Sequence, residues 1–96
     1  MESTLSNPKF DYENVSIQPN PFNNYIQISL PTSIANDLFT IQLFDVNGRL
    51  VYNQIQSGKQ GTLAVQGLDK LQQGPYFIKL INKNNGYSVV KKLIRF

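Results

Sequence analysis

The chain has 96 residues, a net charge of +3, and neither cysteine nor histidine. That length suits one domain, burying somewhat over 60% of the surface its unfolded chain exposes. Without Cys or His there is no disulfide framework and no thiolate zinc site, and the commonest remaining transition-metal ligand is missing, so no cofactor or metal is expected.

No run approaches the roughly 20 apolar residues of a membrane helix, and the N-terminus lacks the basic-then-apolar layout of a signal peptide. The expectation is a cytosolic protein or a fragment of a longer precursor. Four of the nine cations, Lys83, Lys91, Lys92 and Arg95, fall in the last fourteen residues. The excess charge is therefore a basic ending rather than a nucleic-acid-binding face.

Residues 1–14 show no period and are read as a weakly ordered leader or linker; the folded domain is placed at 15–96. From residue 15 onward, short alternating segments separated by turn residues give the signature of an all-β domain. A first short strand is expected at 15–18. It is followed by Pro19-Asn20-Pro21. The prolines lack a donor and push Asn20 toward extended geometry, so the triplet belongs to a sheet edge or a crossing between sheets, with Phe22 tucked against the core.

Residues 25–30 place Ile26, Ile28 and Leu30 on one face, and residues 39–46 place Phe39, Ile41 and Leu43 inward. Asn47-Gly48 then predicts a type I′ hairpin leading into a strand at 50–55. Further strands are expected at 62–65, 76–81 and 87–96, the last two joined through Asn84-Asn85-Gly86. The total is about seven strands without a helix, an immunoglobulin-like antiparallel β-sandwich. Tyr76, just after Gly74 and Pro75, suits a tyrosine corner, its hydroxyl bonded to backbone a few residues upstream where the chain passes between sheets.

Candidate chemistry is sparse. Glu2, Asp11, Glu13, Asp37, Asp45 and Asp69 are the only carboxylates. Nearly all fall in the leader or in turns, no Ser has a His partner, and no phosphate-binding glycine spacing occurs, so an enzyme is not expected. Asp45-Val46-Asn47-Gly48 lacks the further ligands of a calcium loop. Tyr12, Tyr25, Tyr52 and Tyr87 are read as cross-strand pairs covering a sheet, with a sugar-stacking face or, with lysines between them, a single-strand nucleic-acid platform as the alternatives. In residues 89–96 the adjacent Lys91 and Lys92 interrupt the apolar alternation. That predicts an edge strand or a bulge, where lysines block unwanted pairing.

Taken in order, Pro19-Asn20-Pro21, the run from Leu43 through Asn47-Gly48-Arg49 to Val51, Leu71-Gln72-Gln73-Gly74-Pro75-Tyr76, and Lys91-Lys92-Leu93-Ile94 near the chain end resemble the type A C-terminal sorting domain of the type IX (Por) secretion system of Bacteroidetes. The resemblance covers residues 15–96. It implies a domain at the end of a secreted cargo protein that folds in the periplasm and directs that cargo across the outer membrane. It further implies removal by a surface sortase, and as partners the translocon, outer-membrane shuttle and sortase proteins and the upstream cargo, without membrane insertion or nucleic acid.

On this reading the sorting motif comprises Pro19, Asn20, Pro21, Gly74, Tyr76, Lys91, Lys92, Leu93 and Ile94. Leu93 and Ile94 are expected as apolar anchors for a reader that adds a strand or offers a pocket, with Lys91 and Lys92 setting orientation. The alternative is a carbohydrate-binding or adhesive β-sandwich appended to a secreted enzyme.

Overall fold

The two-residue alternation of apolar side chains becomes the facing sides of two sheets. The computed structural model describes residues 14–96; of the leader expected over 1–14, all but Asn14 lies outside the described residues. The strands are β1 (Ser16–Gln18), β2 (Ile26–Ser29), β3 (Leu38–Asp45), β4 (Leu50–Ser57), β5 (Thr62–Val65), β6 (Gly74–Asn82) and β7 (Ser88–Arg95). They form a three-stranded sheet in the order β1-β2-β5 and a four-stranded sheet in the order β4-β3-β6-β7. Every neighbouring pair of strands is antiparallel. This is the expected seven-stranded immunoglobulin-like sandwich, with the fourth strand beside the third rather than beside the fifth.

The core lies between the sheets. Ile26, Ile28, Leu63 and Val65 come from the first sheet, and Phe39, Ile41, Leu43, Ile78, Leu80 and Leu93 from the second, each at most 1% exposed. All occupy alternate positions of their strands, so one register per strand buries the whole set, and a one-residue slip would expose it.

The connections hold the departures from the sequence reading. A short 3-10 turn, Thr32–Ile34, was not anticipated. It follows Pro31 and folds Ile34 into the core at 5% exposure. The Asn47-Gly48 hairpin does join antiparallel neighbours, but it is not type I′. Gly48 alone has positive φ, its N–H donates to the Asp45 carbonyl at 3.0 Å, and the β3–β4 register shifts between Leu43 and Phe44. That is a type I turn with a bulge. Its cause is the Asp45 side chain, whose Oδ1 accepts the N–H groups of Asn47 at 2.9 Å and Arg49 at 3.0 Å. A paired turn with two positive-φ residues occurs instead at Gln60-Gly61 (φ 53° and 81°), closed by mutual Lys59–Thr62 backbone bonds of 3.0 and 3.1 Å.

One side chain closes the gap between the sheets. The Gln56 amide on β4 donates to the Ala64 carbonyl at 2.6 Å and accepts the Ala64 N–H at 3.1 Å. The side chain thus copies a strand partner for the edge of β5, occupying backbone groups that would otherwise invite another chain.

Candidate functional site

The Pro19-Asn20-Pro21 corner is exposed, and both peptide bonds into its prolines are cis. It does more than link β1 to β2. Asn20 Oδ1 accepts the N–H of Ile94 at 3.0 Å. Phe22 N–H donates to the Ile94 carbonyl at 2.8 Å, and Phe96 N–H donates to the Phe22 carbonyl at 2.9 Å. Phe22 and Arg95 thereby form a parallel bridge. The segment is a strap along the outer edge of β7, joining positions 74 residues apart in the chain.

Beneath the strap the Phe22 ring is fully buried and meets Tyr76 edge-on, with centroids 6.2 Å apart at 62°. Tyr76 donates its O–H to the Gln72 carbonyl at 2.6 Å while its ring packs in the core. This is the expected corner, at the point where the chain passes from the first sheet to the second. The polar end of the ring is satisfied at the rim, so the rest can be buried.

Gly74, at φ 135°, holds a conformation that side-chain-bearing residues rarely adopt, although a Cβ there would meet nothing within 4 Å. The residue is glycine for its backbone, not for space. Pro75 lies opposite Ile94. Because the Ile94 N–H and carbonyl both turn away toward Asn20 and Phe22, the Pro75–Ile94 pair needs no donor from proline.

β7 is an edge strand, as expected, and its register with β6 runs unbroken from Gly74↔Arg95 to Ile81↔Ser88, so no bulge occurs at the lysines. The alternation continues through them. Val89, Lys91, Leu93 and Arg95 lie on the inner side, whereas Val90, Lys92 and Ile94 are exposed. Lys91 takes an inner, half-buried position on this edge strand; a lysine there can lay its aliphatic stem on apolar surface while its ammonium reaches water.

Leu93, expected beside Ile94 as an anchor that a reader could grip, is instead a core residue at 1% exposure; Ile94 is 37% exposed. In the folded domain Ile94 is the apolar member available from outside. Arg95 is held by the loop before β6, donating from Nε to the Leu68 carbonyl at 3.3 Å and from Nη2 to the Asp69 carbonyl at 3.0 Å. It is a clamp between β7 and that loop rather than a free cation.

The Asn47-Gly48 hairpin closes on the same end of the sandwich. Asp45 lies opposite Tyr76 in the sheet, and a groove between hairpin and corner is lined by Asp45, Arg49, Leu71, Gln73 and Pro75. The Asp45 carboxyl is held below the usual carboxylate range, first by the backbone N–H of Arg49, with further help from the Asn47 N–H and the Arg49 charge; partial burial opposes them. Its ion pair with Arg49 Nε spans 3.1 Å.

A family model described as the secretion system C-terminal sorting domain matches residues 16–95. The chain belongs to that family. No curated protein matches the sequence. Among solved structures the chain is similar to PorZ, described as an essential bacterial surface component of the type IX secretion system of Porphyromonas gingivalis, with a TM-score of 0.64 and 17% identity. The match covers 90% of this chain and 12% of that one, and it is a likeness of fold.

In this sorting domain the structure brings together Asn20, Pro21, Gly74, Tyr76 and Ile94 at one end of the sandwich. Lys91 and Lys92 lie farther along β7, opposite Ile78 and Phe77. The tyrosines are not gathered. Tyr25 is exposed at the start of β2, Tyr52 lies on β4 and Tyr87 precedes β7, at opposite edges of the larger sheet; Tyr12 lies outside the described residues. Sequence reasoning missed Phe22 as the strap's backbone partner and Arg95 as the clamp. For Arg95 the signal was a cation at an inner position of a strand, which calls for a nearby acceptor.

Among the described residues no three metal-ligating side chains cluster. What the arrangement offers is a hydrogen-bonded shape: exposed residues of the strap, an exposed Ile94, and lysines along one edge. Sorting domains are not an enzyme family, and a sorting domain implies a secreted or cell-surface precursor.

Proposed function

We propose that this domain directs a cargo in the same polypeptide through the type IX machinery, passing the periplasm and ending at the surface or outside the cell. The signal is the folded end of the sandwich, not a loose peptide. Translocon and shuttle proteins read it, and a surface sortase then removes it. The observation that carries this reading is the convergence of Asn20 and Phe22, Gly74 to Tyr76, and Ile94 through the Asn20–Ile94 and Phe22–Ile94 bonds. Motifs at both ends of the domain build one surface, so a reader meets them together only when the domain has folded.

Strand addition at the far end of β7 is blocked by the strap, which already bonds Ile94 and Phe96. Recognition at this end therefore uses side chains and the strap itself. The test fuses the full chain downstream of a periplasmic reporter in a type IX-competent cell. Surface-exposed reporter is expected; a folded fusion that stays in the periplasm would overturn the proposal.

A further inference from the structure

The two outer faces of the sandwich differ in a way that neither the fold nor the corner requires. On the first sheet, register places Gln18 beside Gln27 and Ala64, and Ser16 beside Ser29 and Thr62. That face is uncharged and mostly polar, with Tyr25, 49% exposed beside Gln18 and Gln27, as its large ring. On the second sheet, one row across all four strands reads Leu50, Phe44, Phe77, Lys92. The next row carries Lys79, and Ile94 extends the apolar surface at the end of β7. Leu50 is 45% exposed, Phe77 38% and Ile94 37%. Large apolar side chains joined across a sheet, rather than scattered singly, mark an interaction surface.

Charge selects the occupant. Lys79 and Lys92 flank Phe77 on this face, and none of the described acids shares it. Asp37 and Asp69 lie in connections, and Asp45 is committed to its own hairpin. A second copy laid on this face would bring four lysines together, which disfavours self-association. The geometry points to the outer face of β4-β3-β6-β7 as a docking surface for a protein whose apolar centre is edged by carboxylates. This rests on the sorting reading and assigns the partner's chemistry: the receptor within the secretion machinery presents apolar side chains to Phe44 and Phe77 and carboxylates to Lys79 and Lys92.

The test uses the full chain fused to the same reporter, with three sets of substitutions. Lys79→Glu with Lys92→Glu reverses the charge, Phe77→Ser removes the apolar centre, and Gln18→Glu with Gln27→Glu places charge on the opposite face. Thermal unfolding confirms that each variant folds. The lysine pair and Phe77→Ser are expected to lower export by ~10-fold or more with Tm little changed, while the glutamine pair is exported like the parent. Parent-like export of the lysine variant overturns the docking face and leaves the sorting reading standing. A parent fusion that is not exported overturns the reading itself, and the docking inference with it.

Two measurements on the isolated chain address other occupants. It is expected to sediment as a monomer and to ignore anionic phosphatidylglycerol vesicles. A dimer dissociated by Phe77→Ser, or vesicle binding abolished by the lysine reversal, assigns the face to a second copy or to a lipid surface and overturns the proposal.

Discussion

The side-chain amide of Asn82 donates to Asp37 Oδ2 at 2.8 Å, 45 residues away in sequence, and its own oxygen accepts the Asn84 N–H at 2.7 Å. Asn82 is fully buried. Asn84 completes the cluster, its Oδ1 accepting the Leu38 N–H at 3.3 Å. The β6–β7 turn is thus fastened to the start of β3. An apolar residue at position 82 would leave the Asp37 carboxylate and the Asn84 N–H without this partner. Asn82→Leu is expected to cost about 1–3 kcal/mol in urea unfolding. Asp37→Ala should cost a similar amount, and the double variant clearly less than the sum, because both remove one contact. Additive losses would show that the two side chains act separately.

Tyr76→Phe keeps the buried ring and deletes only the bond to Gln72. A net hydrogen bond contributes about 1 kcal/mol. In a domain of this size that corresponds to a fall in Tm of roughly 4–8 °C. An unchanged Tm would mean that the ring alone fixes the corner.

What the sequence made legible was which side of each strand faces in. Ile26, Ile28, Phe39, Ile41 and Leu43 are all buried where alternation placed them. The corner at Tyr76 and the edge position of β7 were readable too, because each depends on residues close together in the chain. Alternation does not say which edge lies beside which, so nothing near residue 20 announced that its side chain would bond Ile94. The turn at Gly48 was misassigned because Asp45, one side chain outside the dipeptide, decides its geometry by accepting two N–H groups. The lysine pair suggested that the alternation broke; a long aliphatic stem let it continue and put Leu93 in the core.

Asn20→Ala separates the strap from the fold. It removes the acceptor of the Ile94 N–H but leaves both Phe22 backbone bonds, to Ile94 and to Phe96, in place. The site is exposed, so water can take over the N–H, and the stability loss should be small, about 0.5–1 kcal/mol. Export should fall by more than this loss explains, since the strap and Ile94 form the surface to be read. Comparing surface reporter with the folded fraction of the same fusion decides the matter: export that simply tracks the folded fraction makes Asn20 a scaffold residue.

Asp45 gives a pH dependence whose sign follows from its hydrogen bonds. Its folded pKa lies below its unfolded one, so the unfolded chain binds the proton more readily. The stabilisation is fully present above the unfolded value, near 3.9 for aspartate, and is lost as pH falls through the lower folded value. Asp45→Asn should therefore be less stable than the parent at pH 7, with the gap narrowing as pH drops below about 4. Because the first contribution comes from the Arg49 backbone N–H, with the Asn47 N–H also lowering the value, Arg49→Ala should leave the pKa depressed, though less than in the parent. The carboxyl titration followed by NMR in parent and Arg49→Ala checks this ordering. A pKa in Arg49→Ala that returns to the ordinary value would assign the effect to the ion pair, and the turn would then be held by charge rather than by the backbone geometry that sets its bulge.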